Sequence, residues 1–263
     1  MRYAIPILAV AIVWAITVAH ADNASVPAAS TESLALTAYQ TGAFNQAAEL
    51  AEAAGDSDSL ALAARSVLAL AMCGDSEPAA ANIERAETLA RTALELDPTH
   101  IEGRLQLAIA LSLKARPMST REAMRSGLGD DARALTESVL EDDPGNAYAH
   151  GLMAVWHVEV VRRGGSIGSA MMGASVRRGL KHYETAQMLS PDDAALHWQM
   201  ARALTALNAR KYRDEIDTAL TAAIQASHED AVERTMAARA DILMAALSSD
   251  SRRDVEALAK SML

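Results

Sequence analysis

Residues 93–111, ALELDPTHIEGRLQLAIAL, hold a helix-compatible run, an acidic residue, a proline, two polar residues and a second helix-compatible run. The same punctuation recurs at 138–156, SVLEDDPGNAYAHGLMAVW, and at 185–204, TAQMLSPDDAALHWQMARAL. The prolines are Pro98, Pro144 and Pro191, separated by 46 and 47 residues. Proline cannot extend the helix before it, because it has no N–H and its ring meets the preceding turn. Its fixed φ nevertheless suits the entry to the next helix. A constant internal period of this kind predicts a solenoid of stacked helical hairpins.

Composition points the same way. The chain has 263 residues, 51% apolar and 22% charged, which is globular rather than disordered. Aromatics are only 3%, while Ala and Leu abound, and no alternating apolar run suggests a strand. The formal net charge of −10 repels phosphate backbones and argues against general nucleic-acid binding. The lone Cys73 can make neither an intrachain disulfide nor a CxxC metal site, and reads as a small apolar residue at a helix end.

The first residues, MRYAIPILAVAIVWAITVAHADNAS, carry Arg2 and then an uninterrupted apolar run from Ala4 to Val18. Ala19-His20-Ala21 has the small residues of a cleavage site. The run is about 15 residues, short of the roughly 20 a bilayer span needs. A signal peptide over 1–21 is expected, cleaved before Asp22, with 22–30 as a flexible leader. The mature chain is expected to be exported, periplasmic or otherwise extracytoplasmic, and to meet a membrane only if the signal is retained.

The hairpins resemble the tetratricopeptide repeat, a helix-turn-helix unit of about 34 residues with small side chains where its helices cross. The carriers are Tyr39, Gly42, Phe44 and Ala47 in a first unit, and Ala86, Ala90 and Ala93 before Pro98 in a second. Leu107, Ala108, Leu111, Ala132 and Val139 mark a third. Met153, Ala154, His157, Gly179, Tyr183 and Ala186 mark a fourth, and Met200, Ala201 and Leu204 a fifth. The resemblance implies an all-α solenoid of about five repeats over 31–226, with capping helices over 227–263. Units three and four are each about a dozen residues too long. Their insertions, around 114–131 and 160–175, are expected as loops between paired helices. More narrowly, Trp156, Glu159, Val160 and Gly173 before the GLKHYETA helix resemble the regulator-of-microtubule-dynamics family over roughly residues 80–207. For an exported chain, what that likeness implies is a lipid-binding groove rather than a microtubule role.

Several patterns invite a catalytic reading. Gly164-Gly165-Ser166-Ile167-Gly168 is a literal G-x-S-x-G, but a nucleophile elbow needs a strand before the serine, and a helix is expected there. No Gly-Lys-Ser/Thr follows the glycines, which excludes a P-loop. His150 and His157 are seven apart, whereas helical metal pairs are usually four apart, and Glu159 lies on another face. Neither a metal nor a cofactor is expected, and no enzyme activity.

Binding is the expectation that remains. First helices line the concave face in the resembled arrays, and by that offset the groove holds Leu105, Ile109, Tyr148, Gly151, Val155, Glu159, Trp198 and Arg202. Members that clamp a peptide's terminal carboxylate use Lys and Asn there, which Leu105, Gly151 and Trp198 are not. The expected function is a non-enzymatic scaffold binding a protein or peptide on this face. The alternative is a carrier or sensor of a lipid-like ligand, with Arg162, Arg163, Arg177, Arg178 and Lys181 gathering its anionic group.

Overall fold

The computed structural model describes residues 30–74 and 79–262. The expected signal peptide, and all of the leader but Ser30, lie outside the described residues. No strand occurs among the described residues. Helices α1 (Thr31–Thr41) and α2 (Phe44–Ala54) form one hairpin, and α3 (Ser57–Cys73) and α4 (Ala80–Leu96) the next. Then α5 (Ile101–Ala115), with short α6 (Thr120–Ser126) intervening, pairs with α7 (Leu128–Asp142). Helices α8 (Ala147–Met172) and α9 (Val176–Leu189), then α10 (Ala194–Asn208) and α11 (Arg213–Gln225), complete five hairpins. Helices α12 (Ala231–Ser249) and α13 (Arg252–Ser261) follow.

The three proline junctions are built alike. The residue two places after each proline caps the next helix. His100 accepts from the Gly103 N–H at 2.9 Å, Asn146 from Ala149 at 2.9 Å and Asp193 from Leu196 at 2.8 Å. The residue six places after each proline folds back onto the turn. His150 Nε2 donates to the Pro144 carbonyl at 3.1 Å, and His197 Nε2 to the Pro191 carbonyl at 2.8 Å. In the earlier junction Arg104 donates to the Thr99 carbonyl at 2.7 Å. The junction carbonyls thus gain donors that the interrupted backbone cannot supply.

Small residues sit where the helices cross, as the pattern requires. Ala86, Ala90, Ala154, Ala186 and Ala201 are fully buried. A Cβ on Gly179 would stand 2.8 Å from the Ala154 carbonyl oxygen, so α8 and α9 approach more closely than any larger residue permits.

The insertions differ from the expected loops. Residues 160–172 continue α8, which bends at Gly165 (φ 58°, ψ −154°) instead of ending. A left-handed φ is cheap only for glycine, so Gly165 turns the helix without terminating the fold there. Residues 114–131 hold the end of α5, all of α6 and the start of α7. The insertions are tied together, since the Thr120 hydroxyl donates to the Arg163 carbonyl, and the Trp156 indole, earlier on α8, donates to the Gly129 carbonyl of the first insertion.

The C-terminal helices do more than cap the stack. Arg239 of α12 donates to the carbonyls of Met72 and Gly74 at 2.6 and 2.7 Å, and Arg234 to that of Gln40 at 3.2 Å. Arg116, just after α5, donates to the carbonyls of Lys260 and Met262 at 2.7 and 3.2 Å. One continuous apolar core holds Tyr39 and Ala69 of the first units together with Met236 and Leu243 of α12. The superhelix closes on its own beginning.

Candidate functional site

Closure converts the concave face into a chamber of about 1170 Å³. Helices α1, α3, α5, α8 and α10 contribute to its wall, and α12 and α13 cover it through Val232, Met236 and Lys260. Six of the expected groove residues line it: Ile109, Tyr148, Gly151, Val155, Glu159 and Arg202. The other two belong to the core. Trp198 is fully buried in the main core, and Leu105 is buried against Val139 and Ala149. The concave offset is the same for all eight, but α10 is packed on more sides than α8. It touches α8, α9, α11, α12 and α13, so its bulkiest residue is enclosed.

Other wall residues escape a repeat-based reading. Tyr39, Val232 and Met236 meet in the chamber because the chain closes, and Trp156 lines it beside Gly129 of the inserted segment; no local pattern signals either. Gly151 lies close to the next hairpin: a Cβ there would come within 2.7 Å of the Leu196 Cδ1, so the leucine side chain would have to shift.

On this mostly apolar wall, which also carries charged residues such as Arg65, Asp130, Asp193 and Glu233, several arginines cluster around Glu159. Glu159 accepts from Arg162 at 2.6 Å and stands 3.4 Å from Arg202. Burial alone would raise the Glu159 carboxyl, but the Arg202 and Arg162 charges outweigh it and hold the group below the usual carboxylate range. Burial lowers the Arg202 guanidinium, Glu159 opposes that shift, and the Arg116 and Arg162 charges add to it. Arg163 donates to the carbonyls of Ala115 and Met118, at the end of α5. A cation there completes carbonyls that the helix leaves open.

The expected five-cation cluster is therefore split. Arg162 and Arg163 line the chamber, with Arg202 and Arg116 joining them from α10 and the end of α5. Arg177, Arg178 and Lys181 lie on α9 outside it, where Arg178 donates to the Gly173 carbonyl at 2.6 Å. The bend at Gly165 and the turn at Gly173 carry α9 to the other side of α8, which spacing alone does not reveal.

The histidines form a second group, between α8 and α9. His150 Nδ1 lies 2.9 Å from His182 Nδ1, and the His182 ring is 5.7 Å from that of buried His157. Because His150 donates through Nε2 to Pro144, its Nδ1 accepts and His182 supplies the proton. Burial pushes His157 down to about 4, and the His182, Arg178 and Arg133 charges add to that. Among the described residues, no group of three or more His, Cys, Asp or Glu is arranged to hold a metal ion.

Ser166 is exposed on the helical segment after the bend, and helix rather than strand precedes it, so the elbow geometry is absent. Cys73 ends α3 half-buried, and burial pushes its thiol up, away from the reactive thiolate. No described helix is long and apolar enough to cross a membrane.

No family profile and no curated protein matches the sequence. In structure the chain is similar to TTC0263, a thermophilic tetratricopeptide-repeat protein of Thermus thermophilus. That likeness has 19% identity and a TM-score of 0.57, covering 81% of this chain and 97% of the other. It is also similar to the human IFIT1 dimer with PPP-AAAA, at 18% identity and a TM-score of 0.41, over 82% of this chain and 58% of that one. The fold is a tetratricopeptide-type solenoid.

Proposed function

We propose that this chain is an exported, non-enzymatic binding scaffold whose working surface is the closed concave chamber. A partner protein contributes a largely apolar segment to it. The observation that carries this is the closure by α12 and α13, which leaves about 1170 Å³. Ile109, Val155 and Met236 supply apolar contact, and Glu159 and Arg202 supply direction. Filling the chamber with Val155→Trp should abolish capture of the partner from envelope extract without lowering Tm. Undiminished capture would remove the chamber from the binding mode. Export is tested by sequencing the mature N-terminus, expected at Asp22.

A second reading has its own support. A cluster of arginines around Glu159 on the wall of a mostly apolar cavity suits a lipid-like ligand carried or sensed inside it. Native mass spectrometry of protein purified from its host should then show a bound lipid mass, and ligand-free protein would count against this reading.

A further inference from the structure

On the α8 wall of the chamber, one carboxylate serves two guanidiniums. Glu159 makes a full charge-assisted bond to Arg162 at 2.6 Å. Its 3.4 Å separation from Arg202 is longer than the roughly 2.7–2.9 Å of such bonds. The Arg202 side chain is only 7% exposed, yet it borders the chamber. Its Nε donates to Gln199, while its Nη2 reaches Glu159 only at that long distance. Arg163 adds a third guanidinium beside them, held on the carbonyls that end α5. The wall is mostly apolar, Val155, Leu113 and Met236 included, and Glu159 and Arg202 are largely withdrawn from solvent, so an ion pair there is worth more than in water.

We infer that Arg162 and Arg202 form an oxyanion site in the chamber, taking a carboxylate or phosphate group, with Glu159 as the internal counter-ion that holds the two arginines in place. The planar guanidinium fork matches either group bidentately. The group can belong to a free anion or to the head of an amphiphile whose tail occupies the apolar remainder. This site rests on the chamber being the binding element.

Calorimetry with three probes tests it: inorganic phosphate, dodecanoate and the neutral dodecanol. At least one anionic probe is expected to bind, and to bind about tenfold or more weakly to Arg162→Gln, while Arg177→Gln, outside the chamber, behaves as wild type. Dodecanoate binding well above phosphate identifies an amphiphile's head; phosphate binding as tightly as dodecanoate identifies a free anion. Arg202→Gln should give the same loss. Because that side chain is buried, Arg162→Gln, whose arginine is 26% exposed, keeps the test informative if the Arg202 variant does not fold. Dodecanol bound as tightly as dodecanoate, with phosphate unbound, would sink the oxyanion site and leave the chamber as a binding element. Binding of none of the three would sink the site and the small-ligand reading together.

Discussion

Glu159 of α8 and Arg202 of α10 face each other at 3.4 Å across the boundary between the fourth and fifth hairpins, on the wall of the chamber. Both are largely withdrawn from solvent, with side chains 23% and 7% exposed. Removing one partner leaves the other charge in an apolar wall, which costs about 3–5 kcal/mol for a fully buried pair and less here, because Arg162 also touches Glu159. Glu159→Ala should therefore lose about 2 kcal/mol of stability in a denaturant titration. The double variant Glu159→Leu/Arg202→Leu should recover much of it. A double variant as unstable as the sum of both single changes would contradict the pairing.

Trp198 is a core residue, and Tyr148 is not. Trp198→Ala removes a fully buried indole and should cost about 3–5 kcal/mol, seen as a large drop in Tm. Tyr148, 40% exposed and bordering the chamber, should tolerate Ala with a loss under about 1.5 kcal/mol. Equal losses at the two positions would contradict this division between core and wall.

The histidine group makes stability depend on pH. His157 titrates near 4 in the folded protein against 6.5 for the ordinary side chain. Between those values the unfolded chain takes up a proton that the folded chain refuses. Stability is therefore full above about 6.5 and is lost as pH falls toward 4, by about 3 kcal/mol for this group. His182 is lowered as well, first by burial and then by His150 and Lys181, and acts in the same direction. Urea midpoints should fall between about pH 7 and pH 5, and the fall should shrink in His157→Leu. An unchanged pH slope in that variant would exclude His157 as its source.

Closure depends on a few long-range bonds. Arg239→Ala removes two donors from the end of α3. Hydrogen exchange should quicken in the middle of α12 and at the end of α3, with a stability loss of about 1–2 kcal/mol. Protection unchanged at both places would show that the apolar contacts alone close the ring.

Much of the hairpin order can be read from Pro98, Pro144 and Pro191, because a proline's effect on its own helix is local and independent of the rest of the chain. His150 and His197 show where that legibility thins. Both stand six residues after a proline and bond its carbonyl, a repeat feature visible in the spacing, yet their ring partners His182 and Tyr183 come from the following and preceding helices. The chamber is less legible still. Its α8 residues follow the repeat offset, but its cover comes from α12 and α13, held by Arg239 and Arg116 to backbone carbonyls more than 100 positions away. Backbone acceptors carry no residue signature. The bend at Gly165, beyond which the chain turns away toward α9 and Arg178, depends on one φ angle that an adjacent glycine could equally have adopted.

The most direct test of the chamber as the binding element is photocrosslinking in the native envelope, with a photoreactive residue at Val155 inside the chamber or at Lys181 outside it. Mass spectrometry of the adducts should show a defined partner or ligand joined at position 155 and absent at 181. Adducts at 181 alone, or the same adducts at both positions, would contradict binding within the chamber.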